Sequence, residues 1–334
     1  MIGVLFTGGT ISMRIDPATG AAVPALGATE ILAQVPQLAG VADLVTEDFS
    51  RLPGPHVTPE QMWRLARRAA AWLERPDIDG LVITHGTDTI EETAYLLDLV
   101  LTSDKPVVLV GAMRTVSDPS WDGPANLLAA TRVAASPGAR HQGVLVVMDD
   151  QIITARDVRK IHTEASSAFA APEFGPLGVV DGRSVIFRRQ LCRRPDWRDD
   201  RADAGLRVGR LETRVGLLQA YTGIPASVLD AHAAGETQGL AVIAFGRGNV
   251  PPALVPAIAA AVDRGVLVTV SSRCLSGRVS ARYGYDGGGL QLANAGALLV
   301  GELSGAKARL LQMVALGGTR NRPEAVTIVQ TTTA

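Results

Sequence analysis

Ile2-Gly3-Val4-Leu5-Phe6-Thr7-Gly8-Gly9-Thr10-Ile11-Ser12 is the stretch on which the reading of the fold turns. An apolar run of strand length with no polar alternation predicts a parallel strand buried on both faces. Gly8 and Gly9 let the backbone leave that strand in a conformation closed to other residues, and they leave room for a ligand beside the peptide groups. Thr10 then stands at the carboxyl end of a central strand, where open α/β sheets place their ligands. The plainer alternative is a Gly-Gly turn whose hydroxyls bond only the local backbone.

The same pattern returns downstream. Gly80-Leu81-Val82-Ile83-Thr84 reads as a second buried strand, and His85-Gly86-Thr87-Asp88-Thr89 as the turn after it. Thr89 with Glu92 has the form of a capping box for the helix that follows. A third strand over Val107–Val110 leads into Gly111-Ala112-Met113-Arg114, and a fourth over Gly143–Met148 is followed by Asp149 to His162. Strands alternating with helices predict a parallel sheet with right-handed crossovers. Between the first two units, Met13–Gly27 has little periodicity and reads as a lid loop. A helix near Thr29–Gln34 and a strand around Val41–Phe49 come next, then Thr58-Pro59-Glu60-Gln61 caps a helix carrying Met62, Leu65, Trp72 and Leu73. The Met and Trp on that stripe read as core.

Three segments are expected: an N-terminal α/β domain over 1–188 bearing the turns, a charged surface linker over 189–213, and a C-terminal α/β domain over 214–334. In the last, Leu240–Phe245 and Val266–Val270 read as strands, Ala306–Ala315 as a helix and Val326–Val329 as a closing strand.

With 334 residues the chain can build two cores, and 47% hydrophobic with 19% charged residues is globular. A net charge of −1 provides no basic field for nucleic acid or anionic membrane. No apolar run reaches the roughly 18 residues of a membrane helix. The N-terminus lacks a basic region and a cleavage site, so a cytoplasmic location is expected. Cys192 and Cys274 make no scaffold, and the five histidines have no metal spacing. No metal or cofactor is implied.

Thr10, Thr87, Asp88 and Lys160 are all expected at the strand-end edge of one sheet. A threonine hydroxyl is a poor nucleophile until a neighbour takes its proton. A lysine removed from bulk water is driven towards its neutral, basic form. Asp88 could hold that lysine or bind a substrate ammonium, and N–H groups of the glycine turns could face an oxyanion. Together they make an acyl-transfer constellation. The plainer readings are a surface ion pair for Lys160 and a helix cap for Asp88.

Thr7-Gly8-Gly9-Thr10-Ile11 together with His85-Gly86-Thr87-Asp88-Thr89-Ile90-Glu91-Glu92-Thr93-Ala94 resembles the two signatures of the bacterial-type L-asparaginase family. The resemblance continues through Asp122-Gly123-Pro124, Arg156-Asp157-Val158-Arg159-Lys160 and Gly246-Arg247-Gly248-Asn249 to Lys307-Ala308-Arg309. It implies a larger N-terminal α/β domain with a mainly parallel sheet and a smaller flavodoxin-like C-terminal domain. It also implies hydrolysis of L-asparagine to L-aspartate and ammonia, by a homodimer or homotetramer with the site at a subunit interface. By the same resemblance Thr10 is the first nucleophile, Thr87, Asp88 and Lys160 form the activating group, and Asp88 binds the α-ammonium. Ala112 contacts the amide through its backbone, and Asn249 contacts substrate from the second domain.

Three departures stand out. Met13–Gly27 lacks the family's lid tyrosine, with Tyr283 or Tyr285 as distant replacements. Gly54-Pro55-His56 stands where the family holds the substrate carboxylate with side chains, leaving the N–H of Gly54 or His56 for that task. Arg278-Val279-Ser280-Ala281-Arg282-Tyr283 lacks the neighbouring subunit's carboxylate. The rival readings are a preference for glutamine or another amide, the asparaginase-like subunit of a transfer-RNA amidotransferase, and a non-catalytic amino-acid-binding protein. The amidotransferase subunits carry an extra N-terminal domain, for which a first signature at residue 7 leaves no room.

Overall fold

A computed structural model describes residues 1–191 and 203–333. They form two compact units, a larger one through residue 191 that also takes in Ala204–Leu206, and a smaller one from Arg207 onward.

The larger unit opens with β1 (Ile2–Gly8), buried along its whole length. A single 3-10 turn over Thr10–Ser12 leads into a hairpin of β2 (Met13–Ile15) and β3 (Ala22–Pro24). Next come α1 (Ala28–Ala33), β4 (Leu44–Leu52), α2 (Pro59–Leu73) and β5 (Gly80–Thr84). They are followed by α3 (Ile90–Val100), β6 (Val107–Val110), α4 (Gly123–Ala135) and β7 (Val144–Met148). The unit ends with β8 (Gln151–Thr154), a two-stranded ribbon of β9 (Arg159–Lys160) and β10 (Phe169–Ala170), and a hairpin of β11 (Gly178–Asp181) and β12 (Ser184–Phe187).

The main sheet has eight strands in the order β12-β11-β8-β7-β6-β5-β1-β4. β4, β1, β5, β6 and β7 are parallel, and β8, β11 and β12 extend the sheet antiparallel. In chain order the parallel strands lie 2-1-3-4-5, so the direction of travel across the sheet reverses between β1 and β5. Crossovers diverge at such a reversal and open a crevice at the carboxyl ends of the two strands. The bends after β1 and β5 both lead into it.

Helices cover both faces of the parallel strands, which is why they are apolar without alternation. Gly3 and Leu81 are paired in register and face Trp72 of α2, whereas Ile2 and Gly80 point the other way, towards Ala134 of α4. Since α3 packs on α2, α3 and α4 lie on opposite faces. The steps β5 to β6 and β6 to β7 run the same way across the sheet, so these two crossovers have opposite hands. The expectation of uniformly right-handed connections therefore fails at one of them. The loop before α4 passes over the sheet edge, where the Asp122 carboxylate binds the N–H groups of Met113 and Arg114.

Other expectations are corrected. The segment after Thr10 is not a structureless loop, because its two arms pair and Ile15 N–H donates to Ser117 Oγ at 3.0 Å. β8 falls within Asp149 to His162, where no strand is expected from the sequence. Its turn uses Asp149 and Asp150 at φ 50° and 57°, the left-handed pair a two-residue hairpin requires, without the usual glycine. Residues 192–202 of the expected linker lie outside the described residues. After them, Leu206 and Val208 are buried rather than solvated, with Leu206 bridged to Leu101.

The smaller unit alternates β13 (Val215–Gln219), α5 (Ala226–His232), β14 (Gly239–Ala244), α6 (Leu254–Asp263), β15 (Leu267–Ser272), α7 (Gly289–Asn294) and β16 (Leu298–Leu299). Its four strands are parallel and lie in chain order, and α8 (Gly305–Gly318) packs across β13, β14 and β15. The expected strand over Val326–Val329 is instead part of α9 (Arg322–Thr333). Asn321 Oδ1 accepts from Glu324 N–H at 3.0 Å, and Asn321 Nδ2 donates to Glu324 Oε1 at 2.6 Å. That reciprocal cap starts a helix despite the β-branched residues inside it. Among the described residues no helix is long and apolar enough to cross a membrane.

A Cβ at Gly3 would overlap the Trp72 ring. Replacing Gly3 by Ala should cost about 1–3 kcal/mol in urea unfolding, as overpacking does, and adding Trp72→Leu should recover part of it.

Candidate active site

Three bends at the carboxyl edge of the large sheet touch through glycine backbones. Gly9 has φ 84°, and a Cβ there would lie 2.5 Å from both N and Cα of Gly86. A Cβ on Gly86 would lie 2.6 Å from Cα of Gly54. Only hydrogen at these positions lets the bends after β1, β4 and β5 meet. Gly9 N–H donates to Leu52 O at 3.1 Å, and the Thr89 hydroxyl donates to Gly54 O at 2.8 Å. Thr89 thus ties two bends together, where it was expected to cap α3 through its side chain.

The hydroxyls of the first stretch divide into two kinds. Thr7 Oγ1 donates to Thr84 O on β5 at 2.6 Å, a bond between strands, whereas Ser12 Oγ donates to Gly9 O at 2.9 Å, so the local-backbone reading holds for Ser12 alone. Thr10 is half-buried, and among the described residues its hydroxyl has no protein partner.

At the second bend, Lys160 Nζ lies 3.0 Å from Thr87 Oγ1 and 2.7 Å from Asp88 Oδ1. Thr87 is buried, and the Lys160 side chain is only 18% exposed, so the amine is not out in solvent. Asp88 is more open, at 57%, and its Oδ2 is left without a protein partner among the described residues. A residue overlooked in the sequence is Glu91, in the first turn of α3. Its Oε2 accepts the Lys160 backbone N–H at 2.6 Å, and its Oε1 lies 3.5 Å from Arg159 Nε.

His85 is fully buried beneath the same bend. Its Nδ1 lies 2.9 Å from Gly86 O, an atom that can only accept, so Nδ1 carries the proton. Nε2 then accepts from the Thr93 hydroxyl at 2.9 Å, pinning the bend to α3. Burial pushes the His85 pKa down to about 4, with the Gly86 hydrogen bond opposing it weakly.

The remaining expected residues are placed as follows. Gly54, Pro55 and His56 form a 3-10 turn after β4. His56 N–H is taken by Pro53 O at 3.0 Å and Pro55 has no N–H, so of the expected carboxylate donors only Gly54 N–H stays open among the described residues. Likewise Gly9 N–H is taken, and Gly111 N–H points at Met148 Sδ at 3.2 Å, which removes both as oxyanion donors. Ala112 is buried in a turn held by Asp122 and by Asn126, whose Nδ2 donates to Gly111 O at 3.1 Å. A family motif included Asp122, yet its role as a clamp was not legible in the spacing. Asn249 belongs to the smaller unit, where its Oδ1 accepts from Gly289 N–H at 3.3 Å. Tyr283 and Tyr285 also lie there, exposed, with ring centroids 5.4 Å apart. Among the described residues no group of three or more His, Cys, Asp or Glu side chains is placed to hold a metal.

The lowered His85 pKa sets a pH dependence. Between the ordinary value of 6.5 and about 4 the unfolded chain binds the proton that the folded chain refuses, so stability falls as pH falls through this window. The contribution is roughly 3 kcal/mol at full loss. Urea unfolding stepped from pH 7 to 4.5 should show this slope, and His85→Asn should flatten it.

Comparisons with known proteins agree with the geometry. A family model described as "Asparaginase, N-terminal" matches residues 1–193, and one described as "Glutaminase/Asparaginase C-terminal domain" matches residues 214–328. The chain is 40% identical over 315 residues to the probable L-asparaginase of Deinococcus radiodurans, covering 94% of this chain and 92% of that one. To L-asparaginase 2 of Escherichia coli it is 34% identical over 326 residues, covering 96% and 90%. The crystal structure of a probable cytoplasmic L-asparaginase from Campylobacter jejuni superposes with a TM-score of 0.86 at 32% identity, covering 99% of both chains. The chain belongs to the asparaginase family.

Proposed function

We propose that this protein hydrolyses L-asparagine to L-aspartate and ammonia, with L-glutamine as a weaker substrate. As an asparaginase-family member it is a hydrolase of linear amide C–N bonds. The observation that carries the mechanism is the Lys160 amine 3.0 Å from Thr87 Oγ1, braced by Asp88 at 2.7 Å. Passing the Thr87 proton to that nitrogen lets Thr87 in turn take up the proton of Thr10, whose hydroxyl is otherwise uncommitted. The Thr10 oxygen attacks the side-chain carboxamide carbon, the C–N bond breaks, and ammonia leaves with the relayed proton. Water, activated by the same pair, then hydrolyses the threonyl ester and restores the hydroxyl.

Substrate binding follows from what is left open. Asp88 Oδ2 takes the α-ammonium and Gly54 N–H the α-carboxylate, while the backbone at Ala112 meets the amide. By the family resemblance Asn249 is a further substrate contact, and within its own unit its Oδ1 is engaged by Gly289 N–H. By resemblance the working form is a homodimer or homotetramer completing each site at an interface, and the reaction is cytoplasmic, as described for the Campylobacter jejuni protein. The asparagine-to-glutamine ratio depends on one methylene, a difference of about 1–3 kcal/mol.

Ammonia release from asparagine, glutamine, their D-isomers and short amides tests the activity and ranks the substrates. Thr10→Ala should lower turnover by about three orders of magnitude while the protein stays folded. Lys160→Met should do the same at neutral pH with little change in melting temperature. Near-wild-type turnover in either variant removes that residue from the mechanism.

A further inference from the structure

Lys160 reaches the catalytic edge from outside the main sheet. It sits on β9, a two-residue strand whose pairing partner is β10, and neither strand joins the eight-stranded sheet. On one side this ribbon is closed by ladder bonds such as Ile161 N–H to Ala168 O at 2.7 Å. On the other side the Lys160 backbone N–H meets Glu91 Oε2 at 2.6 Å. The Glu91 side chain is only 15% exposed, and its other oxygen faces Arg159 Nε at 3.5 Å.

Glu91 stands in the first turn of the helix that begins directly after Thr87, Asp88 and Thr89. The same helix start therefore carries Thr87 and Asp88 and grips the backbone of Lys160. A carboxylate suits that place, because it is favoured at a helix N-terminus and its bond to an N–H is charge-assisted and short.

We propose that Glu91 is a positioning residue for the hydrolysis, holding the Lys160 main chain so that its amine falls on the Thr87 hydroxyl. This rests on the reading of Lys160 and Thr87 given above. The requirement is an acceptor oxygen at this distance, and an amide oxygen satisfies it as a carboxylate does. Shortening the side chain by one methylene withdraws the acceptor, and displacement of a catalytic group by about 1 Å can cost two orders of magnitude in rate.

The test compares Glu91→Asp, Glu91→Gln and Glu91→Met by steady-state ammonia release from L-asparagine, with Lys160→Met alongside. Glu91→Asp and Glu91→Met should lower kcat more than tenfold with KM within about twofold of wild type. Glu91→Gln should stay within about threefold of wild-type kcat. Should the Met variant fail to fold, the Asp–Gln contrast still decides. Wild-type kcat in Glu91→Asp, or a Gln variant as slow as the Asp variant, overturns the proposal. An active Lys160→Met enzyme overturns the reading beneath it instead, whereas an inactive Lys160→Met beside a fully active Glu91→Asp overturns the role of Glu91 alone.

Discussion

Backbone packed directly on backbone at Gly9, Gly86 and Gly54 is the constraint from which the site follows. Side chains normally keep main chains of neighbouring bends several ångströms apart. Here a Cβ at Gly9 or Gly86 would fall 2.5–2.6 Å from the facing main chain. Thr10 and Thr87 each follow such a glycine by one residue, so closing the glycine gap draws the two hydroxyl-bearing bends to one edge. The bonds from Gly9 N–H to Leu52 O and from the Thr89 hydroxyl to Gly54 O satisfy polar groups that this packing would otherwise strand.

The sheet supplies the place and the helices supply the stiffness. With the parallel strands in the order 2-1-3-4-5, β1 and β5 are neighbours at the reversal, and their ends open on a crevice. Beneath the bends, α3 is joined to the site by Thr93 through His85 and by Glu91 through the Lys160 main chain. The amine thus arrives on a minor ribbon and is located by a helix. Burial of His85 in its neutral form costs acid stability and in return fixes the bend without a mobile charge.

Much of this was legible in the chain. Apolar runs ending in Gly-Gly or His-Gly marked both strands and both bends, because a fully buried strand has no alternation and a close bend needs glycine. What failed was information held outside any local window. Strand order and the opposite hands of the α3 and α4 crossovers depend on which elements become neighbours. β8 was missed because its Asp149-Asp150 turn adopts left-handed φ without glycine. The β-branched residues 326–329 read as a strand, yet the Asn321–Glu324 cap overrides that propensity. Glu91 concerns a partner far away in sequence, and the His56 N–H is taken within a local 3-10 turn; hydrophobic periodicity encodes neither.

Ammonia release by a Gly86→Ala variant tests the central claim most directly. Gly86 is not among the glycines with left-handed φ, so a methyl there adds contact with Gly54 and no backbone strain of its own. The account predicts a protein that keeps its α/β circular dichroism and loses at least a hundredfold in turnover of L-asparagine. A folded Gly86→Ala protein turning over at the wild-type rate would contradict it.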